Sequence, residues 1–225
     1  MKFDIAIIGS GPGGYVAAIR ASQLGKKVAI IERENLGGIC LNWGCIPTKA
    51  LLKSAQVFDY INHSDDYGIS IKDAKVDFDG MVKRSRGVAD GMSKGIAFLM
   101  KKNKIEVING TGKLAGKGKI NVTDDKGKTS TVEADHIILA TGARSRELPN
   151  IPMDGKNVVG YRDAMVLPKQ PKEMIVIGSG AIGMEFAYFY STIGTKVTIV
   201  EFMDRILPVE DADVSKAMMM NYKKK

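Results

Sequence analysis

The chain contains the same short pattern twice, and this repeat constrains its fold more than any other feature. Each copy has an apolar run, a GxGxxG motif, an apolar helical stretch and a second apolar run that ends on an acid. The glycines are Gly9, Gly11 and Gly14, then Gly178, Gly180 and Gly183, and the acids are Glu32 and Glu201. The pattern predicts an α/β fold with two Rossmann-like nucleotide-binding units.

Each glycine of the motif has a physical role in such a unit. Gly9 makes the tight turn, Gly11 lets the backbone approach a pyrophosphate, and Gly14 lets the helix and strand pack closely. The phosphates lie at the helix N-terminus, where free N–H groups favour anions. Glu32 follows Gly14 by 18 residues, where a carboxylate accepts hydrogen bonds from a ribose. A glycine turn followed by such an acid indicates a bound dinucleotide rather than a turn without a ligand.

The residues between the copies predict further elements of the first unit. Residues 50–62 and 78–102 have helical periodicity, 105–135 predict a small antiparallel β-meander, and 135–143 predict a buried strand. The stretch 144–171 contains prolines and has little periodicity. We therefore predict a first nucleotide-binding domain over 1–145, a linker over 146–170 and a second nucleotide-binding domain over 171–225.

Composition excludes several other classes of function. The formal net charge is +8, but the lysines are dispersed and no aromatic residues alternate with them, which disfavours a nucleic-acid-binding surface. No run approaches the roughly 20 apolar residues of a membrane span, and the first apolar run reads as a strand rather than a signal sequence. We expect a cytoplasmic protein that binds neither nucleic acid nor membrane.

The only two cysteines lie close together in GGICLNWGCIPTKALL, residues 37–52. Cys45 precedes Ile46-Pro47, which predicts a helix N-terminus at Cys45, where the helix dipole favours a thiolate. Lys49, four residues later, lies one turn along the same helix face and adds a favourable cation. With no histidine nearby, the pair cannot complete a zinc site, and we expect no metal. Dithiol–disulfide exchange explains the pairing better than two buried core cysteines do.

This segment, both glycine motifs and ATGA at residues 140–143 closely resemble the pyridine nucleotide–disulfide oxidoreductases over essentially the whole chain. The form CLNxGCIPTKALL is most similar to the members that oxidise dihydrolipoamide. The resemblance implies FAD in the first unit and NAD in the second. It also implies that Cys40 and Cys45 form a redox-active disulfide, with Cys45 facing the flavin as a charge-transfer thiolate and Cys40 exchanging with the substrate.

The resemblance further implies a set of site residues. The FAD site takes Gly9, Gly11, Pro12, Gly13, Gly14, Glu32, Arg33, Gly38, Cys40, Lys49, Gly112, Thr141 and Gly142. The NAD site takes Gly178, Ser179, Gly180, Ala181, Ile182, Gly183 and Glu201. Lys49 pairs with Glu185 beside the nicotinamide, and these two join Cys40 and Cys45 as catalytic residues. Glu201 favours NAD over NADP, because a carboxylate repels a 2′-phosphate.

The implied reaction is dihydrolipoamide:NAD⁺ oxidoreduction, in which electrons pass from dithiol to disulfide, then to FAD and NAD⁺. The implied partners are a lipoyl domain of an acyltransferase or carrier protein and, in the full-length enzyme, a second copy of the chain. Family members continue well beyond residue 225, so we expect an N-terminal fragment with an incomplete second domain. It would lack the histidine base of the family, and neither His63 nor His136 is assigned that role.

Two alternatives stay open at this point. The chemistry is shared with glutathione reductase-like and mercuric reductase-like enzymes, although Glu201 disfavours the NADP-dependent members. The other alternative is a nucleotide-binding module without catalytic activity.

Overall fold

A computed structural model of the chain describes residues 2–223, which form two compact units. The first unit contains the chain as far as Pro47 together with Arg86–Arg146, and the second contains Thr48–Ser85 and the chain from Glu147 onward. Two of the boundaries between the units, after Pro47 and before Arg86, therefore fall inside helices. The domain limits predicted from the sequence stay a prediction.

Strands and helices alternate at both ends of the chain, as the α/β prediction requires, whereas a run of helices and then a run of four strands occupy its middle. The strands are β1 (Lys2–Ile8), β2 (Val28–Glu32), β3 (Glu106–Asn109), β4 (Thr111–Leu114), β5 (Lys119–Thr123), β6 (Thr129–Leu139), β7 (Glu173–Ile177) and β8 (Lys196–Val200). The helices are α1 (Pro12–Gln23), α2 (Gly38–Asn42), α3 (Cys45–Asn62), α4 (Phe78–Lys102), α5 (Tyr161–Met165), α6 (Ala181–Thr192) and α7 (Ala212–Tyr222), with a 3-10 helix at Ser64–Tyr67.

A six-stranded sheet organises the first unit, in the order β3-β2-β1-β6-β5-β4. The first four strands in this order are parallel, with Ile5 opposite Val28 on one side and His136 on the other. β6, β5 and β4 pair antiparallel. The prediction of a mixed α/β fold is confirmed, and so is the antiparallel meander, except that β3 joins the parallel part of the sheet beside β2.

Apolar side chains cover both faces of this sheet, because successive residues of a strand point to opposite sides. Ile7 and Ile30 pack with Ala18 of α1 and with Ile96 and Met100 of α4. The other cluster contains the neighbouring strand residues together with the apolar side chains of β5 and β6: Phe3, Ala6, Ile8, Ala29, Ile31, Ile120, Val122, Val132 and Ala134. Burial on both faces explains the continuous apolar runs of β1 and β2.

The predicted burial of the strand over residues 135–143 is wrong. The strand exists as the end of β6, but Ile138 is 37% exposed, Leu139 is 59% exposed, and His136 is exposed. β5 pairs with β6 only as far as Glu133, so the last residues of β6 pair with β1 alone. This part of β6 is consequently an edge of the sheet within the described residues, and an edge is less covered than a central strand.

The second unit is built around the parallel pair β7–β8 and helix α6. Phe189 and Tyr190 of α6 are fully buried and contact Phe78, with ring centroids 6.3 and 6.1 Å away. The Tyr190 hydroxyl donates to the Ala164 carbonyl over 2.5 Å. This contact gives the buried hydroxyl a partner and joins α6 to α5. Among residues 2–223, no helix is both long and apolar enough to cross a membrane.

Candidate functional site

The first glycine motif forms a tight turn between β1 and α1. Gly9 has φ +101°, a conformation that favours glycine, and a Cβ at Gly14 would overlap the Gly9 carbonyl oxygen. Gly11 is the N-cap of α1, no side chain caps it, and Pro12 follows at the start of the helix. Gly13 has no neighbour within 4 Å that a Cβ would meet. Apart from the Pro12 ring, the start of α1 thus presents backbone without side chains, which suits close approach of an anionic group.

Glu32 is held by hydrogen bonds at the end of β2. Its Oε2 accepts from the Ser10 backbone N–H over 2.9 Å and from the Ser10 hydroxyl over 2.6 Å. Its Oε1 accepts from the N–H groups of Arg33 and Glu34, over 2.8 and 2.9 Å. The carboxylate is therefore held in one orientation beside the glycine turn.

The second motif repeats this arrangement. Gly178 has φ +100°, a Cβ at Gly183 would overlap the Gly178 carbonyl oxygen, and Gly180 caps α6 without a side-chain bond. Ala181 and Ile182 open the helix, and Ile182 is exposed.

Glu201 occupies the same place in the second unit as Glu32 in the first. Its Oε1 accepts from the Met203 N–H over 2.9 Å, and its Oε2 accepts from the Ser179 N–H over 2.8 Å and from the Ser179 hydroxyl over 2.6 Å. These donors, the Met203 N–H first, lower the pKa of Glu201 to about 2. Glu201 is consequently a carboxylate throughout the neutral range.

Ser10 is the residue that the sequence analysis missed. It is fully buried, as is Ser179, and each holds the acid of its own copy. A serine follows the first glycine in both copies of the motif, and this repetition could have identified Ser10 as a site residue.

The segment that carries the cysteines packs directly on the first glycine turn. The Gly37 N–H donates to the Ser10 carbonyl over 3.0 Å, and the Ser10 hydroxyl accepts from it over 3.2 Å. A Cβ at Gly38 would lie 2.5 Å from the Gly11 Cα, so this close approach requires glycine. Helix α2, which contains Cys40, therefore starts beside Gly11.

Cys40 and Cys45 are free thiols, and both lie in the first unit. Burial raises the pKa of Cys40 to about 11, with further contributions from the hydrogen bond to the Cys45 side chain and from its charge. Cys45 is exposed and is the first residue of α3, which confirms the predicted helix start. The pair is thus assembled in one unit, and its disulfide stays a prediction.

Four further residues predicted for the first site lie beside or just after the last residues of β1, β2 and β6. Thr141 and Gly142 follow β6, where the Ala140 N–H donates to the Ile8 carbonyl over 2.9 Å, next to Gly9. Gly112 lies in β4, and a Cβ at this position would lie 3.3–3.4 Å from side-chain atoms of Ile8, Ile31 and Ile120. Arg33 is exposed directly after β2, with its Nε 3.9 Å from a Glu34 carboxylate oxygen.

Lys49 and Glu185 form an ion pair within the second unit. Lys49 lies in the first turns of α3 and its side chain is largely exposed, whereas Glu185 lies in α6 and is less exposed. The predicted pairing is therefore present, and the catalytic role of the pair stays a prediction. No cluster of metal-ligating side chains occurs within residues 2–223.

Comparison with known proteins gives a consistent result. A family model described as pyridine nucleotide-disulphide oxidoreductase matches residues 3–225. A dihydrolipoyl dehydrogenase of Zymomonas mobilis is 50% identical over 223 residues, covering 99% of this chain and 48% of that protein. Those of Rhizobium etli and Bacillus subtilis are 52% and 41% identical, over 95% and 100% of this chain and 48% and 49% of their own lengths. The chain spans about half the length of the curated relatives it matches.

Proposed function

The chain belongs to the pyridine nucleotide-disulphide oxidoreductase family, and from this membership we propose that it carries the redox dithiol and nucleotide sites of a dihydrolipoamide:NAD⁺ oxidoreductase. The observation that carries the proposal is the position of the dithiol. Cys40 and Cys45 lie on a segment that packs against the glycine turn of the first unit through Gly37 and Gly38. Thiol chemistry and a nucleotide-binding turn are thereby adjacent.

The first unit has the features that FAD requires. The uncapped start of α1 leaves backbone N–H groups for the pyrophosphate, and Glu32 is oriented for a ribose. The proposed FAD residues are Gly9, Gly11, Pro12, Gly13, Gly14, Glu32, Arg33, Gly38, Cys40, Lys49, Gly112, Thr141 and Gly142. When bound, FAD supplies the two-electron redox chemistry that links the dithiol to a nicotinamide.

The second unit has the corresponding features for NAD. Gly178, Gly180 and Gly183 form the turn, with Ser179, Ala181 and Ile182 between them, and Glu201 is ionised and held by Ser179. An ionised carboxylate at this place accepts from a ribose 2′-hydroxyl and repels a 2′-phosphate, so we propose NAD rather than NADP. Lys49 and Glu185 are proposed to act at the nicotinamide side as an ion pair.

The dithiol pair performs the exchange with the substrate. One thiolate of dihydrolipoamide attacks Cys40 Sγ of the oxidised pair, the Cys40–Cys45 bond breaks, and Cys45 leaves as a thiolate. The second substrate sulfur then displaces Cys40, so lipoamide forms and both cysteines are reduced. Burial and the neighbouring thiol keep the pKa of Cys40 near 11, so Cys40 holds its proton at neutral pH and needs a base for the reverse attack.

The proposed setting follows from the same chemistry. The substrate is the dithiol of a lipoyl domain, and the full-length enzyme is a homodimer. Free cysteines that must cycle between thiol and disulfide favour a reducing compartment, so we propose a cytoplasmic location.

The test measures exchange directly and needs no bound cofactor. The chain is oxidised, freed of oxidant and mixed with dihydrolipoamide or glutathione, and new thiols are alkylated and counted by mass spectrometry. We expect dihydrolipoamide to release two thiols per chain, at Cys40 and Cys45, and glutathione to release far fewer. FAD added to the same protein should lose fluorescence on binding.

Two control variants complete the design. Cys45→Ser should bind FAD but release no thiol pair, whereas Glu32→Gln should exchange thiols normally and bind FAD more weakly. The proposal fails if oxidation leaves Cys40 and Cys45 as thiols, or if their disulfide does not react with dihydrolipoamide.

A further inference from the structure

One side chain of α4, that of Arg86, contacts the four residues that connect the two cysteines. Arg86 donates through Nη1 to the carbonyl oxygen of Asn42 over 2.5 Å. Its guanidinium also lies over the Trp43 ring, with Cζ 4.1 Å from the ring centroid. Arg86 thus contacts two consecutive residues between Cys40 and Cys45, one by hydrogen bond and one by cation–π contact.

The Asn42 carbonyl is one that a helix leaves without a partner. α2 ends at Asn42, and carbonyl groups in the last turn of a helix have no N–H within the helix to accept from. A guanidinium fixes this oxygen with a charged donor, which is stronger than a neutral hydrogen bond. Arg86 is half-buried, and burial lowers the pKa of its guanidinium, so the contact excludes part of the solvent.

Other contacts fix the start of α2 and the residues just before it. The Asn42 side chain donates to the carbonyls of Leu36 and Gly38, over 3.0 Å each. Ser93 of α4 donates to the Leu36 carbonyl over 2.8 Å. With α2 fixed at its start, Arg86 holds its end, where the chain turns toward Cys45, together with the Trp43 N–H, which donates to the Ile39 carbonyl over 2.7 Å.

We propose that Arg86 is a positioning residue for the dithiol, which holds residues 42 and 43 so that the Cys40 and Cys45 sulfurs stay within bonding reach of each other. This inference rests on the proposed redox role of the pair. A disulfide forms only within a narrow range of backbone separations, and its stability against an external dithiol depends on how closely the two thiols are held. Loosening the connection should therefore favour the reduced form.

The effect can be measured as a thiol–disulfide equilibrium with dithiothreitol, which needs no cofactor. The protein dithiol reacts with oxidised dithiothreitol to give the Cys40–Cys45 disulfide and reduced dithiothreitol, so two electrons and two protons pass to the reagent. The 225-residue chain is equilibrated in mixtures of the two reagent forms and quenched in acid. Free thiols are then alkylated, and the disulfide fraction is determined by mass spectrometry.

Arg86→Met removes the hydrogen bond and the cation–π contact while keeping a long apolar side chain. We expect the equilibrium constant for the disulfide to fall about tenfold, which is about 30 mV for a two-electron couple. Arg86→Lys, which keeps the charge, should recover part of the loss. The emission of Trp43, the only tryptophan, should change in Arg86→Met, because its ring loses the stacked cation.

Arg84→Met is the matched control. Arg84 lies on the same helix and also donates to a backbone carbonyl, that of Ala50 over 2.7 Å, but Ala50 lies after Cys45 rather than between the cysteines. We expect its equilibrium constant to stay within about twofold of the wild-type value. An equal effect in Arg84→Met, or none in Arg86→Met, would overturn the proposal.

The two proposals fail in different ways. If the unmodified chain forms no Cys40–Cys45 disulfide, the proposed function is wrong. If it forms one and Arg86→Met forms it equally well, only the role of Arg86 is wrong. Should Arg86→Met not fold, Trp43→Leu removes the cation–π contact and keeps Arg86, and an unchanged equilibrium constant in that variant would count against the proposal.

Discussion

The two copies of the glycine pattern have nearly the same local geometry in different surroundings. The first glycine has φ +101° in one and +100° in the other, and the serine after it donates to the strand-end acid over 2.6 Å in both. β1, however, lies between β2 and β6, whereas β7 pairs with β8 alone within residues 2–223. The local geometry is therefore a property of the motif and does not depend on the rest of the sheet.

The two copies differ in the loop that follows the second strand of each. The N–H groups of Gly37 and Leu207 both donate to the serine carbonyl of their motif, over 3.0 and 3.1 Å. Both residues have positive φ, 99° and 48°. Gly37 is followed by Gly38 and the cysteine segment, whereas Leu207 is buried with Met184 and Ile206. One backbone arrangement thus carries a dithiol in the first unit and an apolar cluster in the second.

The largest effect is expected where both copies place a helix against a turn. Gly14→Ala and Gly183→Ala would each drive a methyl group into a backbone carbonyl, and neither backbone can move without separating helix from strand. We expect each to lower the free energy of unfolding of its own unit by about 4 kcal/mol or more. Urea unfolding followed by Trp43 fluorescence reports on the first unit, and hydrogen exchange of residues 173–200 reports on the second.

Gly13→Ala is the control for the first copy, because a methyl group there meets nothing within 4 Å. It should be neutral or slightly stabilising, since alanine is the better helix former. A large loss in Gly13→Ala would show that any change in this turn is destabilising, whatever its contacts.

The next largest loss of stability should differ between the two copies, at the first glycine of each motif. Gly9→Ala places a non-glycine residue at positive φ and also overlaps the Ala140 carbonyl, whereas Gly178→Ala has the positive φ but no neighbour within 4 Å. We expect losses of about 3 kcal/mol for Gly9→Ala and about 1–2 kcal/mol for Gly178→Ala. The same two measurements apply. Equal losses would mean that the strand beside β1 does not constrain the turn.

A smaller difference is expected at the serines. Ser10→Ala removes the hydroxyl that donates to Glu32 and accepts from the Gly37 N–H, and should cost about 1–2 kcal/mol. Ser179→Ala removes the hydroxyl donor to Glu201, while Leu207 bonds only the Ser179 carbonyl, so the loss should be smaller. Urea titrations of both variants test this order, and a reversed order would contradict it.

Acid should weaken the second unit through Glu201. Its pKa is about 2 in the folded chain and near 4.5 ordinarily, so its contribution is complete above pH 4.5 and is lost as the pH falls toward 2. NMR titration of labelled glutamate carboxyl carbons measures this pKa directly. In Ser179→Ala the pKa should rise toward its ordinary value, and an unchanged pKa would assign the whole shift to the backbone donors.

The smallest effect on stability is expected at the Lys49–Glu185 pair. The Lys49 side chain is 62% exposed, and exposed ion pairs contribute little because water and salt screen them. Lys49→Met should change the free energy of unfolding by about 1 kcal/mol at most. A larger loss that persists in 1 M salt would show that the pair is structural, which would weaken the proposed role at the nicotinamide.

Much of the fold was accessible from the sequence because its signals are local. The strand, turn and helix of each motif follow from the apolar runs and glycines, and the start of α3 at Cys45 follows from Pro47. The exposure of Leu139 was not accessible, because it depends on where β5 stops pairing with β6. The contact of Arg86 with Trp43 was also inaccessible, since 42 intervening residues must fold before the two meet.

The sequence by itself determined the two nucleotide-binding turns, the acid that ends each second strand and the close pair of cysteines. These depend on backbone conformations and spacings that only particular residues allow, and they form within a few dozen residues. Only the tertiary structure decided which serine holds which acid, that the cysteine segment packs on Gly11, and that Arg86 contacts residues 42 and 43 between the two cysteines. Such contacts depend on the packing of distant elements, and no short stretch of sequence contains that information.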